Sequence, residues 1–321
     1  MRAYYESFFI FAPPKINFIN SLSDSKAISL PGSFNIAAKL QDYGQLMKLR
    51  LASLVVFSAV MGFVIGSTGH FEWQQLWLLV LGGFLVTASS NAFNQVIEKD
   101  FDKLMDRTSQ RPLPAGRMSM GEALVAATLM GIVGVAILWF YMNPLSGILG
   151  ALSLVLYTLL YTPLKRVTPF AVFVGAIPGA MPPLLGWVAA RNEIGFEALL
   201  LYTIQFIWQF PHFWSIAWIL DDDYKKAGFK MMPSPGGRDH SSAFQTMVYS
   251  ICLIPMALMP YMFHLGGVMS MIVLIICGFI FTVPSFRLYK DLSMESARKV
   301  MFSSFIYLPV VQIVLMLDKI L

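Results

Sequence analysis

Asn94, Glu98 and Asp102 stand four residues apart in the run NAFNQVIEKDFDKLMDRTSQRPLPAGR, residues 91–117. On a continuous helix each step of four turns about 40° past a full revolution, so the three side chains share one face. Asp106 extends the stripe if the helix persists. Carboxylates stacked on one face repel one another unless a cation stands between them. Oxygen donors of this kind suit Mg²⁺, which keeps several waters and is held by one or two carboxylates together with substrate phosphates. The stripe therefore points to metal-assisted chemistry on a phosphorylated substrate. The bland alternative is a solvated helix end whose acids pair with Lys99, Lys103, Arg107 and Arg111.

A second acidic cluster, Asp221, Asp222 and Asp223, opens the run DDDYKKAGFKMMP. Consecutive residues on a helix point in different directions, so at most two of these acids reach one ion, and the rest pair with Lys225 and Lys226 or face water. A diphosphate held between two such clusters also needs direct cationic partners for its oxygens. Arg107, Arg111, Arg117, Lys165 and Arg166 are the candidates. For most of the bases membrane orientation is the sufficient explanation, with Arg107, Lys165 and Arg166 excepted.

The elements that must position these groups are membrane helices. The chain is 57% hydrophobic and 13% charged with a mean hydropathy of +0.65, against about 25% charged in soluble domains. Apolar segments near the spanning length of about 20 residues number nine, at 51–69, 74–94, 122–141, 145–162, 168–190, 197–220, 244–264, 267–286 and 298–317. This predicts an all-α polytopic membrane protein. Residues 1–44 form a cytoplasmic or interfacial tail, and residues 45–321 carry the nine helices. The tail has neither the pattern of a signal peptide nor that of a strong transit peptide.

Basic loops stay cytoplasmic. With nine spans, 21 of the 23 Lys and Arg fall on the side of the N-terminus, and only Arg191 and Lys319 fall on the other. Both acidic clusters then share the basic, cytoplasmic face, and the C-terminus lies opposite. Cys252 and Cys277 fall inside expected helices, where free cysteine packs as a small hydrophobe; neither a disulfide nor a thiolate metal site is expected. Acids gathered at helix ends, with no inverted pair of repeats, argue against a transporter, whose ion ligands lie near the bilayer midplane.

His212 is an ionisable residue inside a spanning segment and so a functional candidate. The alternative is an imidazole held by carbonyls that Pro211 frees. His70 and His264 lie on the outer side and are read as incidental. The small residues and prolines of IPGAMPP, 177–183, suit close helix packing.

Asn94-x-x-x-Glu98-x-x-x-Asp102 resembles the first acidic motif of the UbiA superfamily of intramembrane prenyltransferases, with Glu where many members have Asp. Four longer segments resemble the branch of that superfamily that farnesylates protohaem: DRTSQRPLPAGR at 106–117, YTPLKRVTPFAVFVGAIPGAMPPLLGW at 161–187, QFPHFW at 209–214 and DDYKKAGFKMMP at 222–233. The resemblance runs from about residue 45 to 317. It departs at Lys230, where a small residue or proline is expected.

The resemblance implies nine helices around a central cavity, a bacterial inner-membrane location, and farnesyl transfer from farnesyl diphosphate to haem B with addition of water, giving haem O. It implies Mg²⁺ held by Asn94, Glu98, Asp102, Asp222 and Asp223, which are also the catalytic candidates. Substrate contacts are expected from Asp106, Arg107, Arg111, Tyr161, Lys165, Arg166, His212 and Tyr224. Aromatic faces on Tyr157, Trp208, Phe210, Phe213, Trp214 and Trp218 are available to shield a carbocation. Membrane lipid surrounds such an enzyme, a haem A synthase or oxidase assembly factor would be its partner, and no nucleic acid is involved. An aromatic acceptor, as in quinone biosynthesis, would use the same acidic clusters and is the competing reading.

Overall fold

The computed structural model describes residues 36–67 and 71–320. Residues 1–35, which make up most of the expected tail, and His70 lie outside the described residues. Ten helices account for most of the rest: α1 Ile36–Met47, α2 Leu49–Gly66, α3 Trp73–Ile97, α4 Met120–Met142, α5 Pro144–Leu164, α6 Ala171–Arg191, α7 Phe196–Lys226, α8 His240–Met262, α9 Val268–Asp291 and α10 Met294–Ile320. No strand occurs among the described residues. Helix α1 runs across residue 44 and packs on α3, so ordered helix begins before the nine long helices do.

Eight of those nine, α2 to α6 and α8 to α10, are long and apolar enough to cross a membrane. Helix α7 has the length, 31 residues, but not the apolarity. The reason is that α7 is enclosed by other helices: Gln205, Gln209 and His212 are buried in the bundle and hydrogen-bond to neighbouring helices. Side chains such as Phe140, Ile132, Phe279 and Ile280 on α4 and α9 are exposed instead, as lipid contact requires.

The helices pack as a ring of neighbours, α2 on α6, α6 on α7, α7 on α8 and α10, α8 on α9, α9 on α10, and α10 back on α2, with α3, α4 and α5 completing the other side. The α2–α6 seam is the tightest approach. A Cβ on Gly62 would collide with the Pro183 carbonyl, and one on Gly186 with the Ala59 carbonyl. Small residues let backbones approach this closely where no hydrophobic force drives helices together. Pro183 has no N–H to give the carbonyl of Gly179 four residues back; Gln205 Nε2 of α7 donates to that carbonyl at 2.8 Å. Gln205 Oε1 in turn accepts from Gln312 of α10 at 2.9 Å, and Gln312 exchanges hydrogen bonds with Ser58 of α2. One polar chain thus ties α6, α7, α10 and α2.

Candidate active site

Helix α3 ends at Ile97 and Glu98 breaks its regularity with φ −92° and ψ 5°. The i to i−4 ladder continues regardless: Glu98 N–H donates to Asn94 O at 3.0 Å and Asp102 N–H to Glu98 O at 2.8 Å. A short helical turn, Lys99–Asp102, follows, so Asn94, Glu98 and Asp102 keep one face. All three are buried. The helix does not persist to Asp106, whose exposed side chain leaves the stripe and pairs with Lys226.

Each member of the stripe meets a cation. Lys165 Nζ stands 2.9 Å from Glu98 Oε1, Arg111 Nη1 2.7 Å from Asp102 Oδ2, and Lys48 Nζ donates to Asn94 Oδ1 at 3.1 Å. Asn94 Nδ2 donates to Thr162 Oγ1 at 3.3 Å. Asp102 Oδ1 is fully buried without a hydrogen-bond partner. Burial pulls Lys165 down, but the Glu98 carboxylate and the Tyr161 and Tyr157 rings raise it further, so it is held above the ordinary lysine range. Burial, followed by repulsion from Arg111 and Lys165, pushes Lys48 well below that range, with Glu98 and Asp102 offsetting it only in part. Three basic side chains converge on two carboxylates and an amide here, and donors gathered in this way are what the oxygens of an anion bind.

Lys48 and Thr162 were not legible as site residues. Lys48 is positioned by its backbone, which is left-handed at φ 52° and ψ 58° between α1 and α2. The last carbonyls of α1 are held from α3: Gln95 Nε2 donates to Gln45 O and Leu46 O, and Asn91 Nδ2 to Met47 O. These are carbonyls that a helix end leaves without partners of its own. The far side of α1 is fastened by Asp42 to Arg117 at 2.8 Å and by Lys39 and Tyr43 to Glu122, both at 2.8 Å. Arg117 therefore holds α1 rather than standing in the acidic stripe. In sequence, Lys48 is one more base before an apolar span, indistinguishable from an orientation signal.

On α7, Asp221 is buried, 2.7 Å from Lys225 and 4.0 Å from Arg238. Asp222 is exposed and binds Arg238 at 3.0 Å. Asp223 accepts the backbone N–H of Asp106 at 2.9 Å and of Arg107 at 3.3 Å, fastening the loop after the stripe to the end of α7. The three acids diverge, as consecutive helical residues must. Among the described residues no group of three or more His, Cys, Asp or Glu side chains stands together as a metal site. The donors nevertheless fit a hard divalent ion shared with a substrate. They are oxygens only, and the buried Asp102 Oδ1 is unpartnered.

Tyr161 lies under Lys165, whose Nζ is 4.6 Å from the ring centre, and its own ring is 5.2 Å from that of Tyr157. A π-helical stretch, Leu156–Tyr161, sets this pair, and Gly175 leaves the room that the Tyr161 ring occupies. Arg166 stacks 3.9 Å over Phe101, and Tyr224 meets the edge of Phe229. Behind the stripe, an apolar pocket of about 120 Å³ is lined by Leu51, Val56, Ser90, Asn91, Tyr157 and Pro178 among others. Apolar walls ending at a few polar groups are the usual form of a small-molecule site. His212 lies apart from the stripe, on the α10 side of α7.

Residues 55–308 match the family model described as UbiA prenyltransferase family. The chain is 46% identical over 285 residues to Protoheme IX farnesyltransferase of Cytophaga hutchinsonii, covering 89% of this chain and all of the relative. It is 43% identical over 293 residues to Protoheme IX farnesyltransferase of Flavobacterium psychrophilum, covering 89% of this chain and 97% of the relative. Among solved structures, digeranylgeranylglyceryl phosphate synthase superposes with a TM-score of 0.74 at 20% identity over 88% of this chain and 99% of its own. A UbiA homologue from Archaeoglobus fulgidus bound to GPP and Mg²⁺ superposes with a TM-score of 0.63 at 18% identity over 85% and 99%. At these identities the two structures speak for the fold.

Proposed function

We propose that this chain, which belongs to the UbiA prenyltransferase family, transfers a farnesyl group from farnesyl diphosphate to a vinyl group of haem B, with addition of water, giving haem O and diphosphate. The observation that carries this is 46% identity, over nearly the whole chain, to a protein named Protoheme IX farnesyltransferase.

The stripe and its cations support a division of labour. Lys165, Arg111 and Lys48 turn from the carboxylates and Asn94 to the diphosphate oxygens, exchanging one set of charge-assisted bonds for another. Arg107, Arg166, Asp106 and Tyr224, at the same cytoplasmic face, frame the entrance. Asn94, Glu98 and Asp102 on one side and Asp222 and Asp223 on the other would supply the oxygens for Mg²⁺. Bound Mg²⁺ would neutralise the leaving diphosphate as its bond to farnesyl breaks. The apolar pocket takes the farnesyl chain and keeps water from its C1 carbon, while the faces of Tyr157 and Tyr161 offer negative quadrupole to developing positive charge. A haem vinyl carbon then bonds to C1. The cation left beside the ring takes a water oxygen and releases a proton.

The 21 bases on one side favour an N-terminus in the cytoplasm and a C-terminus across a bacterial inner membrane. Residues 45–321 are read as the catalytic domain, the chain before them as a tail at the interface, and a haem A synthase or oxidase assembly factor as the recipient of the product.

The test is turnover by purified protein in detergent with haem B, farnesyl diphosphate and Mg²⁺, the haem products being resolved by mass. Haem O that disappears on chelation and returns with Mg²⁺ is expected. Prenylation of a hydroxybenzoate or naphthoate with no haem product would move the chain to the quinone branch.

A further inference from the structure

Helix α3 is 25 residues long, which makes it about 37 Å from end to end. Its last turns lead into the acidic stripe, so Glu72, just before its first residue, stands at the opposite end of the bundle. That length exceeds the hydrocarbon core of a bilayer, about 30 Å, and sets Glu72 at the level of the far headgroups. Phe71, Trp73 and Trp77 are exposed beside it, and tryptophan collects at the membrane–water boundary.

A polar pocket of about 360 Å³ opens at this level, where the end of α2, the start of α3 and the end of α6 meet. Small-molecule sites run from about 300 to 1,000 Å³. Arg191, Glu72, Gln75 and Ser67 bring its polar atoms. Arg191 and Glu72 carry opposite charges in one pocket, yet among the described residues neither forms an ion pair, with the other or elsewhere.

The Arg191 guanidinium is held over the ring of buried Trp187, 5.6 Å from its centre, and Lys319 Nζ lies 4.7 Å from the same centre. These are the two bases that the nine-span topology sets apart from the other 21, against the bias that keeps bases cytoplasmic. Two cations on one ring with no acid in contact repel each other, and a bound anion relieves that repulsion. Acceptors stand ready as well. The Ser67 hydroxyl gives its proton to Phe63 O at 2.8 Å, so its oxygen is left to accept, as the Glu72 carboxylate does. The Gln75 amide can serve either partner.

We infer that this pocket binds the headgroup of a zwitterionic aminophospholipid, Arg191 holding the phosphate, and Glu72 with Ser67 the primary ammonium. An ethanolamine phosphate carries its two charges a short link apart, and each meets its complement here. An anionic headgroup would leave Glu72 facing like charge. A choline headgroup has no N–H for Glu72 and Ser67 to accept. The site lies at the other end of α3 from the stripe and is independent of which acceptor is prenylated.

Delipidated full-length protein in detergent is given phosphatidylethanolamine, phosphatidylcholine or phosphatidylglycerol of matched acyl chains, and bound lipid is measured by native mass spectrometry, with farnesyl diphosphate binding alongside. The wild type is expected to hold phosphatidylethanolamine about tenfold more tightly than the other two, the scale of one hydrogen bond to a charged group. Arg191→Gln loses the tightly held lipid, and Glu72→Gln brings phosphatidylethanolamine down to the level of phosphatidylcholine. Retained farnesyl diphosphate binding marks both variants as folded. Free phosphoethanolamine is expected to displace the lipid only at far higher concentration; displacement at equal concentration would overturn a lipid as the occupant in favour of a soluble phosphate ester. Equal retention of the three lipids, a preference for phosphatidylglycerol, or a Glu72→Gln protein that still prefers phosphatidylethanolamine over phosphatidylcholine overturns the inference.

Discussion

Lys165 and Glu98, 67 residues apart in sequence, form an almost fully buried ion pair at 2.9 Å just beyond the end of α3. Removing one member of a buried pair costs about 3–5 kcal/mol because the other is left as an uncompensated charge. Lys165→Met is therefore expected to lower the Tm of the detergent-solubilised protein markedly, and Lys165→Met with Glu98→Gln to recover much of the loss. A double variant no more stable than the single would mean that the two groups are uncoupled.

Glu98→Ala and Asp102→Ala are each expected to abolish turnover in an inserted protein, read as haem O by mass, because each removes one of the two buried carboxylates of the stripe. Turnover near that of the wild type in either variant would remove the stripe from the metal site.

Much of this site was legible because helix periodicity and charge both speak through sequence. The spacing of Asn94, Glu98 and Asp102 gave the stripe, and the stripe survives the irregularity at Glu98 because the hydrogen-bond ladder carries on through it. Spacing could not say that Asp106 falls off the helix, nor that Arg117 turns to Asp42 on α1, since both depend on where the chain goes after its helices end. Polar content hid the character of α7: Gln205, Gln209 and His212 lower its hydropathy, and only packing shows that other helices satisfy them. Thr162 carried no signal, since a threonine in an apolar span is ordinary until its partner is seen.

Lys48 is the cation whose placement depends on another element. Lys48→Met is expected to raise the KM for farnesyl diphosphate about tenfold or more, the loss of about 1.5–3 kcal/mol from a hydrogen bond to a charged group. Arg117→Ala should give a smaller rise in the same direction, because it loosens α1 without touching the substrate. An Arg117→Ala enzyme impaired only in kcat would break the link between α1 and Lys48.

The last relationship lies deep in the bundle, where Gln205 answers the carbonyl that Pro183 leaves open. Gln205→Leu fits the space but strands the Gly179 carbonyl and one N–H of the Gln312 amide, whose bonds to Ser58 remain. Each buried unsatisfied group costs about 1–3 kcal/mol, so a clear fall in Tm is expected. Gly186→Ala tests the neighbouring seam by overpacking, at about 1–3 kcal/mol, since its new methyl meets the Ala59 carbonyl, a backbone atom that cannot swing aside. The two losses should add only partly, because both act on the packing of α6 and neighbouring changes couple. Full additivity in the thermal scans of the single and double variants would show that the α2–α6 seam and the glutamine chain are independent supports.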